Sequence, residues 1–278
     1  MVRAPREGVV VAQSRPKTHK ARSGAVGELD YSGKRVLVTG GSGDIGRALC
    51  VAFAGQGARV ALTYFSSHEG LEKTLAAVRE VGGPEPVAIR ANLRDKDAPA
   101  QIDREVREKL GAVDIFFSNA ASGVLKPTSE LRDKHWEWTM DINARAFLAL
   151  TQLVTKDMEP GGRVIALTSM GSIRAIENYA AVGASKAALE ALVRHFAMEL
   201  GPRGITVNAL SPGVVDTNAL QHFPNRDQLL TVANFRTPNR RIATPKDVAD
   251  VALLLASPRA AMIQGQTLVV DGGYSILA

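Results

Sequence analysis

Tyr179 and Lys186 are the side chains whose types and spacing most directly suggest chemistry. One carries a phenol that can donate a proton, the other a cation whose charge can steer a neighbour. They bracket the segment YAAVGASK at the start of an Ala-rich, proline-free stretch, Ala180 to Leu200, that predicts a helix. Seven residues of helix turn through about 700° and rise roughly 10 Å, which returns Lys186 to the face of Tyr179. Taken alone, the same two residues also describe an exposed Tyr and Lys at a helix end. Four residues before Lys186 stands Val182, which has no proton to give.

A second motif raises the value of the first. The apolar run Arg35 to Thr39 leads directly into TGGSGDIG, Thr39 to Gly46, and then into a helix-like segment. Glycines at a strand-to-helix turn let the backbone approach a diphosphate, and the free amides and positive dipole end of the helix attract its charge. Gly40, Ser42, Asp44, Ile45 and Gly46 are the candidate residues of this cradle. Asp44 is out of character, because dinucleotide loops often have glycine there and a carboxylate repels a diphosphate. The expectation is that it turns away to cap the free amides of the helix. At the end of the second strand an acidic side chain would take the adenosine ribose hydroxyls and repel a 2′-phosphate. Thr63 to Ser67 contains no acid, which leans toward NADPH over NADH. No arginine stands in that turn either, so Ser66 and Ser67 offer neutral hydrogen bonds.

The elements that must position these residues follow from the hydrophobic pattern. Short apolar runs at 35–39, 58–64, 86–91, 113–118, 163–168, 205–210 and 267–271 read as strands separated by helical stretches. Apolar strands alternating with helices predict an α/β fold, a doubly wound, seven-stranded parallel sheet covered on both faces. The expected organisation is a basic, polar, aperiodic N-terminal tail over 1–29, read as disordered, and one domain over 30–278. An Arg-rich, acid-poor leader is also the composition of an organelle transit peptide. The polar, Pro-interrupted stretch around 216–241 breaks the strand–helix rhythm after a strand's carboxyl end, where α/β proteins place a substrate lid. It mixes Leu220, Leu229, Leu230, Val232 and Phe235, suited to an acyl chain, with Arg236, Arg240 and Arg241, suited to a phosphate or an acidic carrier protein.

Composition bounds the function. The net charge is +6, and the first 30 residues carry six basic side chains against three acidic ones, so half of the excess lies in the tail. The rest is spread without a basic run, which argues against a nucleic-acid partner. The single cysteine, Cys50, lies in an apolar helical run, as a buried thiol in a reducing, cytoplasmic setting would. No apolar run is long enough to cross a bilayer, and no secretory signal is visible. His135 and His222 have no ligand-spaced partners, so no metal site is expected.

With these residues assembled, the sequence resembles the short-chain dehydrogenases/reductases over about Tyr31 to Ala278. TGGSGDIG, the Asn-Ala-Ala of 119–121, Asn143 in MDINARA, Ser169 after the fifth strand, SPGVVDT at 211–217 and GQTLVVDGG at 265–273 carry the match. The resemblance implies a Rossmann-like fold, Asn92 and Leu93 flanking the adenine, Asn119 and Ala120 at the adenosine ribose, and Thr217 on the nicotinamide carboxamide. It assigns Lys186 to the nicotinamide ribose hydroxyls and to favouring the phenolate form of the tyrosine. Ser169 would contact substrate oxygen and Asn143 would order a water behind Lys186. Without the family, Asn119 would simply satisfy a turn, Thr217 would cap a helix and Asn143 would bond its own backbone.

The family's usual Tyr-x3-Lys pair is absent, and Tyr179 makes the spacing Tyr-x6-Lys. Together with ASGVLKP, HWEWTMDINA, ENYAAVG, LQHFPNRDQLL and MIQGQTLVVDGG, this resembles the enoyl-acyl-carrier-protein reductase III type. Ketone reduction places the proton on the oxygen bonded to the carbon that takes hydride. Reduction of a conjugated thioester places hydride on the β-carbon and negative charge on an oxygen three bonds away. Three more residues shift the phenol by about 4.5 Å along a helix, in the direction that the longer reach requires. The expected activity is NADPH-dependent reduction of an enoyl thioester carried on acyl carrier protein or coenzyme A, by a homotetramer, as in fatty acid biosynthesis. A stand-alone carbonyl reductase and an NADP-sensing binder are the alternatives.

Overall fold

The computed structural model describes residues 29–222 and 226–277. The expected tail over 1–29 lies almost wholly outside the described residues, as does part of the expected lid. Seven parallel strands, β1 (Arg35–Val38), β2 (Arg59–Tyr64), β3 (Val87–Arg90), β4 (Ile115–Ser118), β5 (Arg163–Leu167), β6 (Thr206–Pro212) and β7 (Thr267–Val270), form one sheet in the order β3-β2-β1-β4-β5-β6-β7. Each falls on an apolar run of the sequence. The order reverses between β1 and β4, where the two strands pair through Val36 with Ile115 and Leu37 with Phe116. At such a switch point the outgoing loops diverge and leave a crevice at the carboxyl ends of the strands.

Helices α1 (Asp44–Gly55), α2 (His68–Glu80), α3 (Ala98–Lys109), α4 (Asp133–Met140), α5 (Ala146–Val154), α6 (Ala180–Leu200), α7 (Arg226–Arg236) and α8 (Pro245–Ala256) connect and flank the strands. β4, β5 and β6 are buried along their whole length, as central strands covered on both faces must be. One core layer packs Leu49, Phe53, Val248 and Ala252 on one face of the sheet, and the other packs Ile102, Phe147, Leu189 and Val193 on the opposite face. Tyr31, where the periodic pattern begins, is 4% exposed, packs edge-on to Phe53 at 5.0 Å, and donates its hydroxyl to the Leu253 carbonyl. Cys50 is fully buried beside it, and burial pushes its thiol up to about 12, so it is inert as a nucleophile. No helix among the described residues is long and apolar enough to cross a membrane.

Candidate active site

β5 ends in a buried run and delivers Thr168 and Ser169, the latter fully extended at φ −155° and ψ 164°, to the carboxyl edge of the sheet. Tyr179 stands opposite, as the residue that opens α6. It lies outside the helix proper, at φ −106° and ψ 7°, and its carbonyl accepts the first helical bond from Gly183 N at 2.7 Å. The left-handed turn at Asn178, φ 60°, sets its approach. Its Oη donates to Ser169 Oγ at 3.3 Å. A Cβ on Gly171 would sit 2.5 Å from the Tyr179 ring, and a Cβ on Gly183 would sit 2.5 Å from the Gly171 carbonyl oxygen. These two glycines form the slot that holds the ring. The sequence reading passed over both, although their signal was present as small residues flanking the phenol.

Lys186 is 4% exposed, and its Nζ donates to the Leu167 carbonyl at 2.7 Å. One turn further along α6, the buried Glu190 accepts from Thr168 Oγ1 at 2.7 Å. Burial lowers the Lys186 ammonium to about 8, against the opposing pull of Glu190. Burial also raises the Tyr179 phenol above its ordinary value, with the Ser169 hydrogen bond opposing. Desolvation disfavours the charged form of each group and outweighs the opposing influence in both. Val182 is 6% exposed with its Cγ2 where it would meet a Cβ on Gly123 at 2.4 Å, so the position four before Lys186 is an apolar packing site.

Asn143 does not bond its own backbone. It lies in a π-helical turn, Asp141–Arg145, between α4 and α5. Its Oδ1 accepts from Ser122 N, and its Nδ2 donates to Ser122 O and to Ser185 Oγ, all at 2.9 Å. Both amide protons are thereby used, so a water behind Lys186 would be held through an oxygen acceptor of Asn143 and not through its amide protons. The bonds run to a different loop and a different helix instead of its own backbone. Asn143 staples the loop after β4 to α6 one residue before Lys186.

The crevice between β1 and β4 opens into a cleft of about 690 Å³ whose walls bring together Gly40, Ser42, Asp44, Ile45, Gly46, Ser66, Asn92, Leu93, Asn119, Ala120 and Thr217. A dinucleotide fits the sterics of its floor. A Cβ on Gly46 would lie 2.1 Å from the Gly40 carbonyl, and Gly40 itself, at φ 68°, would bring a Cβ to 2.9 Å from Ala120. Gly43 opens α1 without a side-chain cap, so the first amides of the helix face the cleft. Asn119 donates Nδ2 to Thr39 O at 3.0 Å and Gly40 O at 3.1 Å, tying β4 to the loop. Asn92 spends its side chain on its own turn, accepting from Arg94 N and donating to Asp95, each at 3.2 Å.

Asp44 does not cap α1. Its Oδ2 accepts from Asn218 N at 2.7 Å, and its Oδ1 receives Arg47 at 3.0 Å. Three residues unsingled in the sequence also border this region. Arg90 donates Nε to the Phe65 carbonyl at 3.2 Å and so brings a cation to the turn that lacked one. Arg94 stacks on Trp138 at 5.4 Å, both on the cleft wall. Arg90 comes from β3, so only strand pairing, Tyr64 with Arg90, could place it there.

In the 216–241 stretch, Phe235 is 77% exposed and Arg236 lies over Tyr274 at 5.8 Å. Arg241 forks onto Asp247, with bonds of 2.6 and 2.7 Å, so it serves the start of α8 instead of standing free for a phosphate. The His222 side chain lies outside the description. His135 accepts Arg132 N at 3.3 Å as part of the α4 cap. Among the described residues there is no cluster of metal-ligating side chains.

Residues 41–275 match the family model described as enoyl-(acyl carrier protein) reductase. The chain belongs to the short-chain dehydrogenase/reductase family. It is 38% identical over 244 residues to 1-cyclohexenylcarbonyl-CoA reductase of Streptomyces collinus, covering 87% of each chain. It is 32% identical over 249 residues to 7alpha-hydroxysteroid dehydrogenase of Escherichia coli K12, covering 88% of this chain and 95% of that one. A short-chain dehydrogenase from Burkholderia cenocepacia J2315, solved in complex with NADP, superposes with a TM-score of 0.80 at 32% identity, over 88% of this chain and 98% of that one. This short-chain reductase is therefore an oxidoreductase with a Rossmann-like fold.

Proposed function

We infer that the protein reduces enoyl thioesters with NADPH. The observation that carries this reading is the placement of the phenol: Tyr179 at the mouth of α6, bonded to Ser169, with the nearer position filled by the buried Val182. NADPH, when bound, supplies the hydride that adds to the substrate β-carbon. As charge develops on the thioester oxygen, Tyr179 and Ser169 are the donors that meet it, and a neutral phenol is the form that can donate. The enolate then takes a proton at the α-carbon from solvent water, which completes the saturated thioester. Lys186 would hold the nicotinamide ribose hydroxyls from its buried position beside Leu167, with Thr217 on the carboxamide.

Support for the thioester comes from the S. collinus relative, named for a CoA-linked enoyl substrate, and from the family model's description. The first favours coenzyme A as carrier, the second acyl carrier protein. NADPH over NADH is supported by Arg90 at the Phe65–Ser66 turn and by the NADP found in the B. cenocepacia structure. The same reading includes a cytoplasmic homotetramer built on the helices that carry Asn143 and Lys186, which light scattering at micromolar concentration tests. The decisive assay offers the purified protein NADPH with crotonyl-CoA and, separately, acetoacetyl-CoA. Oxidation of NADPH with the first and little with the second is expected. The reverse preference would sink the enoyl reading in favour of a carbonyl reductase, the activity that the steroid dehydrogenase relative points to.

A further inference from the structure

The one side chain in the phosphate loop that breaks the glycine pattern is also the one that reaches across the cleft. Asp44 opens α1 on the nucleotide side, and Asn218 belongs to the short helical turn Asn218–His222 that begins the 216–241 stretch. The two residues are 174 positions apart in sequence. Their contact is a charge-assisted bond from the Asn218 backbone N–H to Asp44 Oδ2 at 2.7 Å, joined by Asn218 Nδ2 to Oδ1 at 3.4 Å. Asp44, Thr217 and Asn218 all face the cleft. Leu220 N bonds back to Thr217 O at 2.9 Å, so fixing the Asn218 amide fixes the turn that contains Thr217. Arg47 at 3.0 Å neutralises the carboxylate, which lets a negative group stand where the loop is built to attract phosphate. A glycine at position 44 would leave the loop's sterics intact and remove this bridge.

We propose that Asp44 is a positioning residue that latches the root of the substrate-side stretch to the phosphate loop, so that Thr217 is preset over the cleft. The proposal rests on the enoyl-reductase reading only for its choice of substrate. The latch acts at the nicotinamide end of the cleft, through Thr217, and adds nothing to phosphate binding. Loss of the latch therefore separates turnover from affinity for the phosphate-bearing part of the cofactor. A residue that merely stabilised α1 would weaken both together.

The test compares the wild-type protein with Asp44→Gly and Asp44→Asn. In the absence of cofactor, amide exchange measured on peptides spanning 215–222 should speed up at least tenfold in Asp44→Gly. The turnover number with NADPH and crotonyl-CoA should fall about tenfold, the scale of one charge-assisted hydrogen bond. The dissociation constant of 2′-phospho-ADP-ribose, which carries the phosphates but lacks the nicotinamide, should be unchanged or lower, because a negative charge has left the phosphate site. Asp44→Asn, which keeps an acceptor for the Asn218 amide, should lie between the two in exchange and turnover. Unchanged exchange at 215–222, or a loss of 2′-phospho-ADP-ribose affinity in step with turnover, overturns the latch. A wild-type protein inert toward crotonyl-CoA overturns the enoyl reading instead, and exchange together with 2′-phospho-ADP-ribose binding still decides the role of Asp44.

Discussion

The nucleotide wall, which lines the cleft, and the catalytic wall, the Tyr179, Ser169 and Lys186 group outside that lining, are held in place by different means. On the nucleotide wall the constraints are backbone sterics and partly buried hydrogen bonds. Gly46 touches the Gly40 carbonyl, Thr39 Oγ1 receives the amides of Asn119 and Ala120 at 3.1 Å each, and Thr63 Oγ1 receives Gly40 N at 3.1 Å. On the catalytic wall the chain is positioned by side chains and short turns: the 3.3 Å bond of Tyr179 to Ser169, the left-handed Asn178, and beyond it exposed ion pairs such as Arg226 with Asp216. Exposed pairs contribute little rigidity. Substitutions on the two walls should accordingly fail in different ways.

The largest effect is expected from Gly46→Ala. Its Cβ would meet the Gly40 carbonyl oxygen at 2.1 Å, and a backbone atom cannot move aside as a side-chain end can. Overpacking of this kind costs about 1–3 kcal/mol, so the melting temperature should fall by roughly 5 °C. NADPH affinity should drop by about 100-fold as the loop is forced out of its cradle, equivalent to some 2.7 kcal/mol. Calorimetric titration of NADPH and a thermal melt measure both. If Gly46→Ala binds NADPH normally, the rigid-wall half of the comparison is wrong.

Tyr179→Phe should damage the other wall alone. Removing one donor to a developing oxyanion lowers turnover by roughly 100-fold or more, while NADPH binding and the melting temperature stay near wild type. Gly183→Ala should follow it in the same direction, because its Cβ would press on Gly171 O and through it on the ring. Restoring the commoner spacing with Val182→Tyr in the Tyr179→Phe background should not recover enoyl reduction. That ring would have to displace the Gly123 loop, and its hydroxyl would sit nearer the carbon that takes hydride. Recovery of crotonyl-CoA reduction by the double variant would break the distance argument.

The same division explains what could be read from the chain before its fold was known. All seven strands and the 180–200 helix were legible, because buried parallel strands are continuous apolar runs and α6 has no proline to interrupt it. The cleft floor was legible because glycine sterics are local: Gly40 and Gly46 mean the same thing wherever the loop is placed. Asp44 was misread as a cap because its partner, Asn218, is joined to it only through the tertiary fold. The partners of Asn143 were hidden for the same reason, since Ser122 and Ser185 reach it from a loop and a helix distant in sequence. The protonation of Tyr179 depends on desolvation, which no spacing reveals.

A pH profile sharpens the catalytic side. Lys186 is lowered from 10.5 to about 8, so its ammonium is present below that value and lost above it. Turnover that needs the ammonium on the cofactor ribose should be flat from pH 6 to 7 and fall about tenfold per unit above pH 8. Stability should move the other way. Between about 8 and 10.5 the unfolded chain binds a proton at this site that the folded chain does not, so stability rises with pH across that window. An activity limb near 10 in place of 8 would mean that Lys186 is solvated in the working enzyme.

The smallest effect tests the nucleotide wall at its edge. Arg90 reaches the Phe65–Ser66 turn from β3, and Ser66 lies on the cleft wall, so the guanidinium is positioned to add charge to the neutral donors there. If it meets a 2′-phosphate, Arg90→Ala should weaken NADPH relative to NADH by about tenfold, the scale of one exposed charge-assisted contact. Affinities for 2′,5′-ADP and 5′-AMP give the same answer without turnover: the first should weaken and the second hold. Because Arg90 also bonds the Phe65 carbonyl, the variant could loosen the turn and weaken both nucleotides alike. That result would assign Arg90 to shaping the turn, and the discrimination would then rest with Ser66 and the absence of an acid between Thr63 and Ser67. Arg90→Lys separates the two roles further, since a lysine keeps the charge near a phosphate while giving up the fixed Nε bond that braces Phe65.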